Sequence, residues 1–237
     1  MTIREIAGMI DISAVRTDAA VQEVEDMCNV ARRYGFIAVF SMPWYTPRVV
    51  ELLHDQPAIH VGGVVAFPSG ADLPETKVAV AQELVRMGCG EIDMVMNVGA
   101  LKSGALAYVK KEIEAVRAVA KRQIMKVIIE APLLTDEETR LATEIVASAG
   151  CDYVKSGTGW HGATPPERLS IMCETARGRC RVKAAGGVRG LDAVLRLRAM
   201  GVERFGIGLR SALDIMQEAQ TRFLPHTEGK NEHHFIL

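Results

Sequence analysis

The sequence is poor in several features that would direct it toward particular classes of protein. Only five of its 237 residues are cysteine and no C-x-x-C pair occurs, so neither a disulfide framework nor a cysteine-rich zinc site is expected. Aromatic residues make up 5%, and the formal net charge of -1 offers no basic surface for nucleic acid or an acidic membrane. No apolar run is long enough to cross a membrane. We therefore expect a reduced, cytoplasmic, globular protein with neither a nucleic-acid nor a membrane partner.

Three recognisable signals are also missing. The first residues, M-T-I-R-E-I-A-G, lack the long apolar core of a secretory signal peptide. No G-x-G-x-x-G follows the first apolar run, which counts against a dinucleotide-binding sheet. The ends of the apolar runs carry no cluster of histidines and carboxylates with the spacing of a metal site. We therefore expect neither a metal nor another cofactor.

What the sequence does contain is a regular alternation of short apolar runs and longer amphipathic stretches. The eight runs lie at 10–13, 36–40, 61–67, 91–96, 125–130, 152–155, 181–184 and 204–208. Runs this short and rich in β-branched residues are typical of strands buried on both faces. Eight strand–helix units predict a single-domain (β/α)8 barrel, with an open doubly wound sheet as the weaker alternative. We assign residues 1–224 to this domain and predict a polar tail at 225–237.

Helix boundaries are marked by capping residues and by glycines. D-L-P-E at 72–75, T-D-E-E at 135–138 and T-P-P-E at 164–167 each have the spacing of a capping box at a helix start. Five glycines stand where a helix would end before the next strand: Gly35, Gly88, Gly150, Gly178 and Gly201.

Charged residues recur inside the predicted strands, where they are costly unless they are paired or used. These residues are Asp11, Asp93, Lys126, Glu130, Lys155 and Lys183. For Lys126 and Glu130 we favour interior ion pairs that hold the barrel in register. Lys126 opens its run, which places it toward the bottom of the barrel, away from the usual site.

Lys155 and Lys183 differ because each ends a strand, and the two strands are consecutive. Catalytic groups of such barrels gather at the carboxyl ends of the strands. Two neighbouring ammonium groups in a partly buried pocket lower one another's pKa, and a neutral lysine can attack a carbonyl carbon to form a Schiff base. Asp93, on the fourth strand, could move protons directly or through a water. The alternative is a purely structural salt-bridge cluster.

Glycine pairs follow the lysine-ended strands and the eighth strand. Such glycines let backbone N–H groups approach an anion, and in barrels the loops after the seventh and eighth strands commonly hold phosphate. The candidates for substrate binding are Thr158, Gly159, Gly186, Gly187, Gly206 and Gly208. Simple tight turns are the alternative for any one of these pairs.

Several stretches together resemble the deoxyribose-phosphate aldolase family. They are M-I-D (9–11), V-V-A-F-P-S-G-A (64–71), E-I-D-M-V-M-N-V-G-A-L-K-S-G (91–104), K-V-I-I-E (126–130), D-Y-V-K-S-G-T-G (152–159) and V-K-A-A-G-G-V-R (182–189). The resemblance, over residues 5 to 220, implies a class I aldolase that reversibly joins acetaldehyde to glyceraldehyde 3-phosphate to give 2-deoxyribose 5-phosphate. It implies that Lys155 forms the Schiff base, that Lys183 perturbs it, that Asp93 handles protons and that Asp11 lies near the substrate.

Other stretches depart from the family pattern. Gly157 replaces a serine, and the second strand reads F-S-M-P (40–43) where the family tends to have cysteine and asparagine. In the eighth loop, Gly208 and Leu209 replace two serines that hold phosphate, and a cation, Arg210, follows. Either Arg210 supplies a charge-assisted phosphate contact, or the pocket accepts a different aldehyde. Trp160, just past the turn at Gly159, either lines the pocket or packs between helices.

Two hypotheses lie outside aldol chemistry: a non-catalytic phosphosugar-binding barrel and a metal-dependent lyase. Retention of all three catalytic candidates argues against the first, and the missing ligand cluster argues against the second. Because barrel aldolases are often dimers or larger, we also expect a homo-oligomer.

Overall fold

The computed structural model describes residues 1–223, and the predicted tail at 225–237 lies outside these described residues. Its eight strands are β1 (Ile10–Ala14), β2 (Ala38–Ser41), β3 (His60–Val65), β4 (Glu91–Val95), β5 (Ile124–Ile128), β6 (Tyr153–Lys155), β7 (Arg181–Ala185) and β8 (Arg204–Gly208). All neighbouring strands are parallel, and β8 pairs with β1 to close the barrel. The predicted (β/α)8 fold is therefore confirmed, and the open sheet is excluded.

Within residues 1–223, ten α-helices accompany the strands. They are α1 (Ile3–Ala7), α2 (Val21–Tyr34), α3 (Thr46–Leu53), α4 (Pro74–Arg86), α5 (Val98–Lys102), α6 (Leu106–Val119), α7 (Asp136–Ser148), α8 (Pro166–Ala176), α9 (Leu191–Met200) and α10 (Leu209–Phe223). Short 3-10 turns at Pro43–Tyr45 and Ala131–Leu133 follow β2 and β5. None of the helices in this part of the chain is long and apolar enough to span a bilayer.

The main apolar core lies between the strands and the surrounding helices. Outward-facing strand residues such as Ile12, Ile92 and Val127 are fully buried there, together with Leu84 and Ile113 from the helices. A second, smaller apolar cluster of Ala38, Phe40 and Val64 is separate from this core. Burial on both faces explains why the strands read as continuous apolar runs rather than as alternating ones.

The helix-start predictions had mixed outcomes. At Thr135 and Glu138 both hydrogen bonds of a capping box form, as predicted. The box predicted at 72–75 does not form, because α4 begins one residue later, with Leu73 as its uncapped N-cap and Pro74 in its first turn. The box predicted at 164–167 also fails, since the hydroxyl of Thr164 donates to the Ala185 carbonyl instead.

The helix-end prediction was more successful. All five glycines named as helix ends have the positive φ that this position requires. The second strand was predicted at 36–40, but β2 occupies Ala38–Ser41. Phe36 is buried just before the strand begins. Since only glycine tolerates a left-handed backbone without strain, the ends of helices are easier to read than their starts.

Candidate active site

The barrel interior holds a network of charged side chains, every one of which is buried. Its members are Asp11, Glu91, Asp93, Lys126, Lys155, Lys183 and Arg204. They come from six strands, and each points inward because alternate residues of a strand face opposite sides. The predicted pairing of charges inside the barrel is therefore confirmed for Lys126, whose ammonium contacts Glu91, Asp93 and Asp11.

Asp93 is the centre of this network. One of its oxygens, Oδ2, accepts hydrogen bonds from Lys155 Nζ at 2.8 Å and from Lys183 Nζ at 2.7 Å. Its other oxygen, Oδ1, accepts from Lys126 Nζ at 3.0 Å. Burial alone would raise the pKa of Asp93, but the charges of Lys126, Lys155 and Lys183 outweigh it and hold that pKa well below its usual range.

Lys155 and Lys183 are neighbours, as the sequence predicted. They are aligned in the register of β6 and β7, and both reach the same carboxylate oxygen. Burial is the main cause that lowers the pKa of Lys183 to about 8. The carboxylates of Asp11 and Asp93 oppose this shift, and the positive charges of Lys155 and Lys126 add to it. Lys183 is 1% exposed and Lys155 is 8% exposed, so Lys155 is the more accessible of the two lysines.

Asp11, on β1, contacts Lys183 and lines the open space next to the two lysines. Its Oδ2 is 2.6 Å from Lys183 Nζ, and its Oδ1 accepts a hydrogen bond at 2.8 Å from Arg204 Nε. Arg204 also donates to Glu91, and Glu91 contacts His60 at 2.8 Å. Asp11 is therefore placed to hold Lys183 in position, and its nearness to the substrate stays a prediction.

The structure places two candidates differently from the sequence interpretation. Lys126 is the third residue of β5 rather than its first, so it lies at mid-barrel instead of at the bottom. Glu130 is not an interior ion-pair partner but follows the strand with a positive φ of 52°. Its carboxylate accepts hydrogen bonds from the backbone N–H of Thr158 at 3.0 Å and from the Thr158 hydroxyl at 2.6 Å. Glu130 therefore fixes the loop after β6.

A cavity of about 340 Å³ opens above Lys155 and Lys183 at the carboxyl ends of the strands. Its walls have two characters. One wall is apolar and consists of Val15, Phe40, Val64 and Phe67. The other wall is formed by backbone and by the predicted substrate-binding residues Thr158, Gly159, Gly186, Gly187, Gly206 and Gly208. Five of the six glycines predicted to converge on one rim therefore line this cavity, and Gly157 does not.

The glycines at 186 and 187 are required where they stand. Both have a positive φ, and a Cβ on Gly187 would lie 2.3 Å from Cβ of Ala163. A Cβ on Gly206 would lie 3.2 Å from Cε of Lys183, so this glycine makes room for the stem of the lysine. Close approach between the loops after β6, β7 and β8 therefore depends on residues without side chains.

Arg210 and Trp160 lie on an adjoining cavity of about 470 Å³. Arg210 is exposed and lines this second cavity only, so its contact with phosphate stays a prediction. Trp160 is 47% exposed, and its ring meets that of Phe67 edge-on with centroids 6.3 Å apart. Trp160 therefore lines the second cavity and not the one above Lys155 and Lys183, so its predicted place in the substrate pocket stays a prediction.

Several residues of the site were missed from the sequence. Glu91 and Arg204 complete the charged network, and a period of two could have found them, since they lie two residues before Asp93 and Gly206. Arg189 lines the cavity above Lys155 and Lys183, which we call the catalytic cavity, and forms no ion pair with another described residue. Arg189 ends the stretch V-K-A-A-G-G-V-R that carries the family resemblance, which is the signal that could have marked it. Among residues 1–223 no group of three histidine, cysteine or acidic side chains is arranged to hold a metal.

Comparisons with known proteins agree with this geometry. Residues 10–218 match the model of the DeoC/LacD family aldolases. The deoxyribose-phosphate aldolase of Sinorhizobium medicae is 43% identical over 91% of this chain and 87% of its own length. Deoxyribose-phosphate aldolase 1 of Bacillus licheniformis is 40% identical over 86% of this chain and 92% of its own length.

Solved structures give the same result. The tetrameric deoxyribose-phosphate aldolase of Aeropyrum pernix superposes with a TM-score of 0.84 at 26% identity, over 94% of both chains. An aldolase named QR15 superposes with a TM-score of 0.85 at 30% identity, over 93% of this chain and 96% of its own. The lysine pair in a barrel cavity, the family match and the relatives all agree, and the chain belongs to the DeoC/LacD aldolase family.

Proposed function

We propose that this enzyme is a class I aldolase that reversibly cleaves 2-deoxyribose 5-phosphate to acetaldehyde and glyceraldehyde 3-phosphate. The observation that carries the proposal is the sharing of one Asp93 oxygen by Lys155 and Lys183 at the floor of the cavity. The names of the relatives support the choice of substrate.

Lys155 is the nucleophile of this proposal, because it is the more exposed of the two lysines. Its neutral amine attacks the aldehyde carbon of the open-chain sugar, and the carbinolamine loses water to give a protonated imine. Asp93 stays ionised, since its pKa is held well below the usual range, and it stabilises the positive imine nitrogen that replaces the ammonium group.

Lys183 is the group best suited to move protons. With a pKa of about 8 it exchanges a proton near neutral pH, which Asp93 with its lowered pKa does poorly. We assign to Lys183, acting directly or through a water, the proton that leaves the sugar 3-hydroxyl. Breaking the C2–C3 bond then sends its electron pair into the imine, which becomes an enamine as glyceraldehyde 3-phosphate departs. Protonation of the enamine carbon and hydrolysis release acetaldehyde and restore the amine.

The two walls of the cavity fit the two halves of this substrate. Phe40 and Val64 present apolar surface to the two-carbon part that becomes acetaldehyde. Gly186, Gly187 and Gly208 let backbone N–H groups approach the phosphate, and Arg189 adds a cation on the same cavity. The start of α10 at Leu209 adds the positive end of a helix dipole.

Borohydride trapping is the experiment that tests the proposal. The enzyme is incubated with 2-deoxyribose 5-phosphate, reduced with borohydride, digested and mapped by mass spectrometry, with the dephosphorylated sugar in parallel. We expect a reduced adduct on Lys155, more of it with the phosphorylated sugar, and none in Lys155→Met.

The matched control is Lys102→Met, which removes a half-exposed surface lysine paired with Glu138 and should leave the adduct intact. Absence of any adduct with either sugar and with acetaldehyde would leave the lysine pair as a structural feature of a phosphosugar-binding barrel. An adduct that does not depend on phosphate would retain the aldolase and reject this substrate.

We also propose that the chain assembles as a homo-oligomer in the cytoplasm. Support for assembly comes from the tetrameric relative of Aeropyrum pernix and from two apolar side chains on the rim, Trp44 and Leu73, which are 80% and 67% exposed. Support for the location comes from the five cysteines, all of which are free thiols. Sedimentation of the purified enzyme would test the assembly, and a monomer at assay concentration would contradict it.

A further inference from the structure

The catalytic cavity continues into the adjoining cavity, which we call the side cavity. The side cavity is bounded by Trp160, Leu209, Arg210 and Leu213, none of which lines the catalytic cavity. The two cavities share wall residues from β1 and from the loops after β6 and β8, including Ser13, Thr158 and Gly208. A molecule bound at the lysines therefore lies next to the side cavity, on the other side of this shared wall.

Gly208 stands on the shared wall, and neither its backbone nor its packing calls for glycine. Its φ lies outside the left-handed region, and the nearest atom to a Cβ built on it is the Ser13 carbonyl oxygen, at 3.9 Å. By contrast, a Cβ on Gly206 or Gly187 would meet a neighbouring side chain at 2.9 Å or 2.3 Å. What the missing side chain of Gly208 provides is therefore open space between the cavities.

The chemistry of the side cavity suits a chain with an anionic end. Trp160, Leu209 and Leu213 give it an apolar surface. Two arginines and Glu23 line it, and Arg16 is neutralised by ion pairs with Glu23 at 2.9 Å and with Asp18. Arg210 forms no ion pair with any other residue of the described chain, and it lies in the first turn of the 15-residue helix α10, whose amino end favours negative charge.

We propose that the side cavity extends the acceptor site, so that the enzyme accepts aldose phosphates longer than glyceraldehyde 3-phosphate. This inference rests on the proposed Schiff-base function of Lys155. The aldehyde carbon lies at the lysines, the carbon chain passes Gly208, and the terminal phosphate reaches Arg210. Gly208 and Arg210 are thus the two specificity-determining positions, one by the space it leaves and the other by its charge.

The test compares acceptors of two lengths with acetaldehyde as the donor. We measure kcat/KM for erythrose 4-phosphate and for glyceraldehyde 3-phosphate, in the wild type and in a graded pair, Gly208→Ser and Gly208→Val. In the wild type, kcat/KM for erythrose 4-phosphate is expected to lie within about tenfold of kcat/KM for glyceraldehyde 3-phosphate. A tenfold ratio corresponds to a modest difference in transition-state binding. The long-to-short ratio, which is kcat/KM for erythrose 4-phosphate divided by kcat/KM for glyceraldehyde 3-phosphate, is expected to fall stepwise as the side chain at 208 grows. In Gly208→Val the expected fall is about tenfold.

Arg210→Ala tests the proposed phosphate contact at the other end of the side cavity. This test does not depend on whether the Gly208 variants fold. The substitution is expected to lower kcat/KM for erythrose 4-phosphate by about tenfold and to leave that for unphosphorylated erythrose unchanged, since a charge-assisted contact is lost only for the anion.

Two failures are distinguishable. If acetaldehyde and borohydride leave no adduct on Lys155 of the wild type, the proposed function itself is wrong. If the adduct forms but the wild type rejects erythrose 4-phosphate, or if neither Gly208→Val nor Arg210→Ala changes the long-to-short ratio, the extended acceptor site is overturned.

Discussion

The barrel interior and the rim above it are built from opposite kinds of residue. The interior holds long charged side chains, such as Lys126 and Arg204, which both form ion pairs with the buried Glu91. The rim is built from residues without side chains, such as Gly186 and Gly187, whose loops approach closely. Side chains fixed by strand register supply the chemistry, whereas the rim supplies backbone donors and space. Changes in the interior should therefore affect stability and the chemical step together, and changes at the rim should affect substrate choice.

The largest effect is expected from Asp93→Asn, in the interior. The change leaves Lys126, Lys155 and Lys183 close together without their shared carboxylate, and breaking such a buried pair costs about 3–5 kcal/mol. We expect a large drop in the free energy of unfolding in urea and loss of the borohydride adduct. The control is Asp55→Asn, which removes a surface pair with Arg32 and should change either readout little. Similar urea midpoints for the two variants would contradict a stabilising interior network.

The next effect concerns the pH dependence of stability through Lys183. Its pKa in the folded protein is about 8, below the value of 10.5 taken for an unperturbed lysine. Between these two values the unfolded chain binds a proton that the folded protein has released, so the contribution of Lys183 to stability rises with pH. We expect the free energy of unfolding of the wild type, minus that of Lys183→Met, to increase by ~3 kcal/mol from pH 8 to 10.5. A flat or falling difference would show that burial does not control this lysine.

Two adjacent glycines of β3 give the sharpest comparison of inside and outside. A Cβ on Gly62 would lie 2.3 Å from the Phe40 ring, which lines the catalytic cavity. A Cβ on Gly63 would lie 2.6 Å from Leu84, on the outer face of the barrel. We expect Gly62→Ala and Gly63→Ala each to lower stability by about 1–3 kcal/mol through overpacking.

Only Gly62→Ala should also change catalysis, because it pushes the Phe40 ring toward Lys126 and Lys183, which lie 4.5 and 4.4 Å from the ring centroid. Steady-state kinetics at a temperature where both variants are folded separates the two effects. Equal kcat/KM values for the two variants would mean that the ring does not shape the site.

The smallest effect is expected at the rim, from Arg189→Ala. Loss of this arginine should raise KM for the phosphorylated substrate by about tenfold with little change in kcat, because it removes a contact equally present before and during the reaction. Stability should be unaffected, since Arg189 is exposed and forms no ion pair with another described residue. A fall in kcat with the dephosphorylated sugar would instead assign Arg189 a part in the chemistry.

The barrel fold and the charged residues of its interior could be predicted from the sequence, because both follow from short-range periodicity. Eight apolar runs predicted the closed barrel, and the ends of β6 and β7 placed Lys155 beside Lys183. Lys126 was expected to open its strand, but β5 begins at Ile124, one residue before the predicted run, and Lys126 is its third residue. Such an error moves a side chain along the barrel axis without changing the face on which it lies.

The rim was harder to predict because its contacts join loops that are distant in sequence. Thr164 illustrates this. Its distance from Glu167 in the sequence predicted a capping box, but its hydroxyl donates a hydrogen bond to the Ala185 carbonyl instead. The hydrogen bonds from Thr158 to the Glu130 carboxylate had no local sequence signal either, because the two residues are 28 positions apart in the chain. The open space beside Gly208 depends on the absence of atoms, which only the three-dimensional arrangement reveals.

The contact between Arg204 and Asp11 has a consequence for how the enzyme is made. It joins the last strand to the first across 193 positions, and β1 has no second neighbour in the sheet until β8 is added. While the ribosome is still producing the chain, β1 therefore remains an open edge, and Asp11 lacks its guanidinium partner. The final charge arrangement around Lys183 can be reached only after Arg204 has been synthesised, so catalytic competence appears late and in one step, rather than accumulating strand by strand.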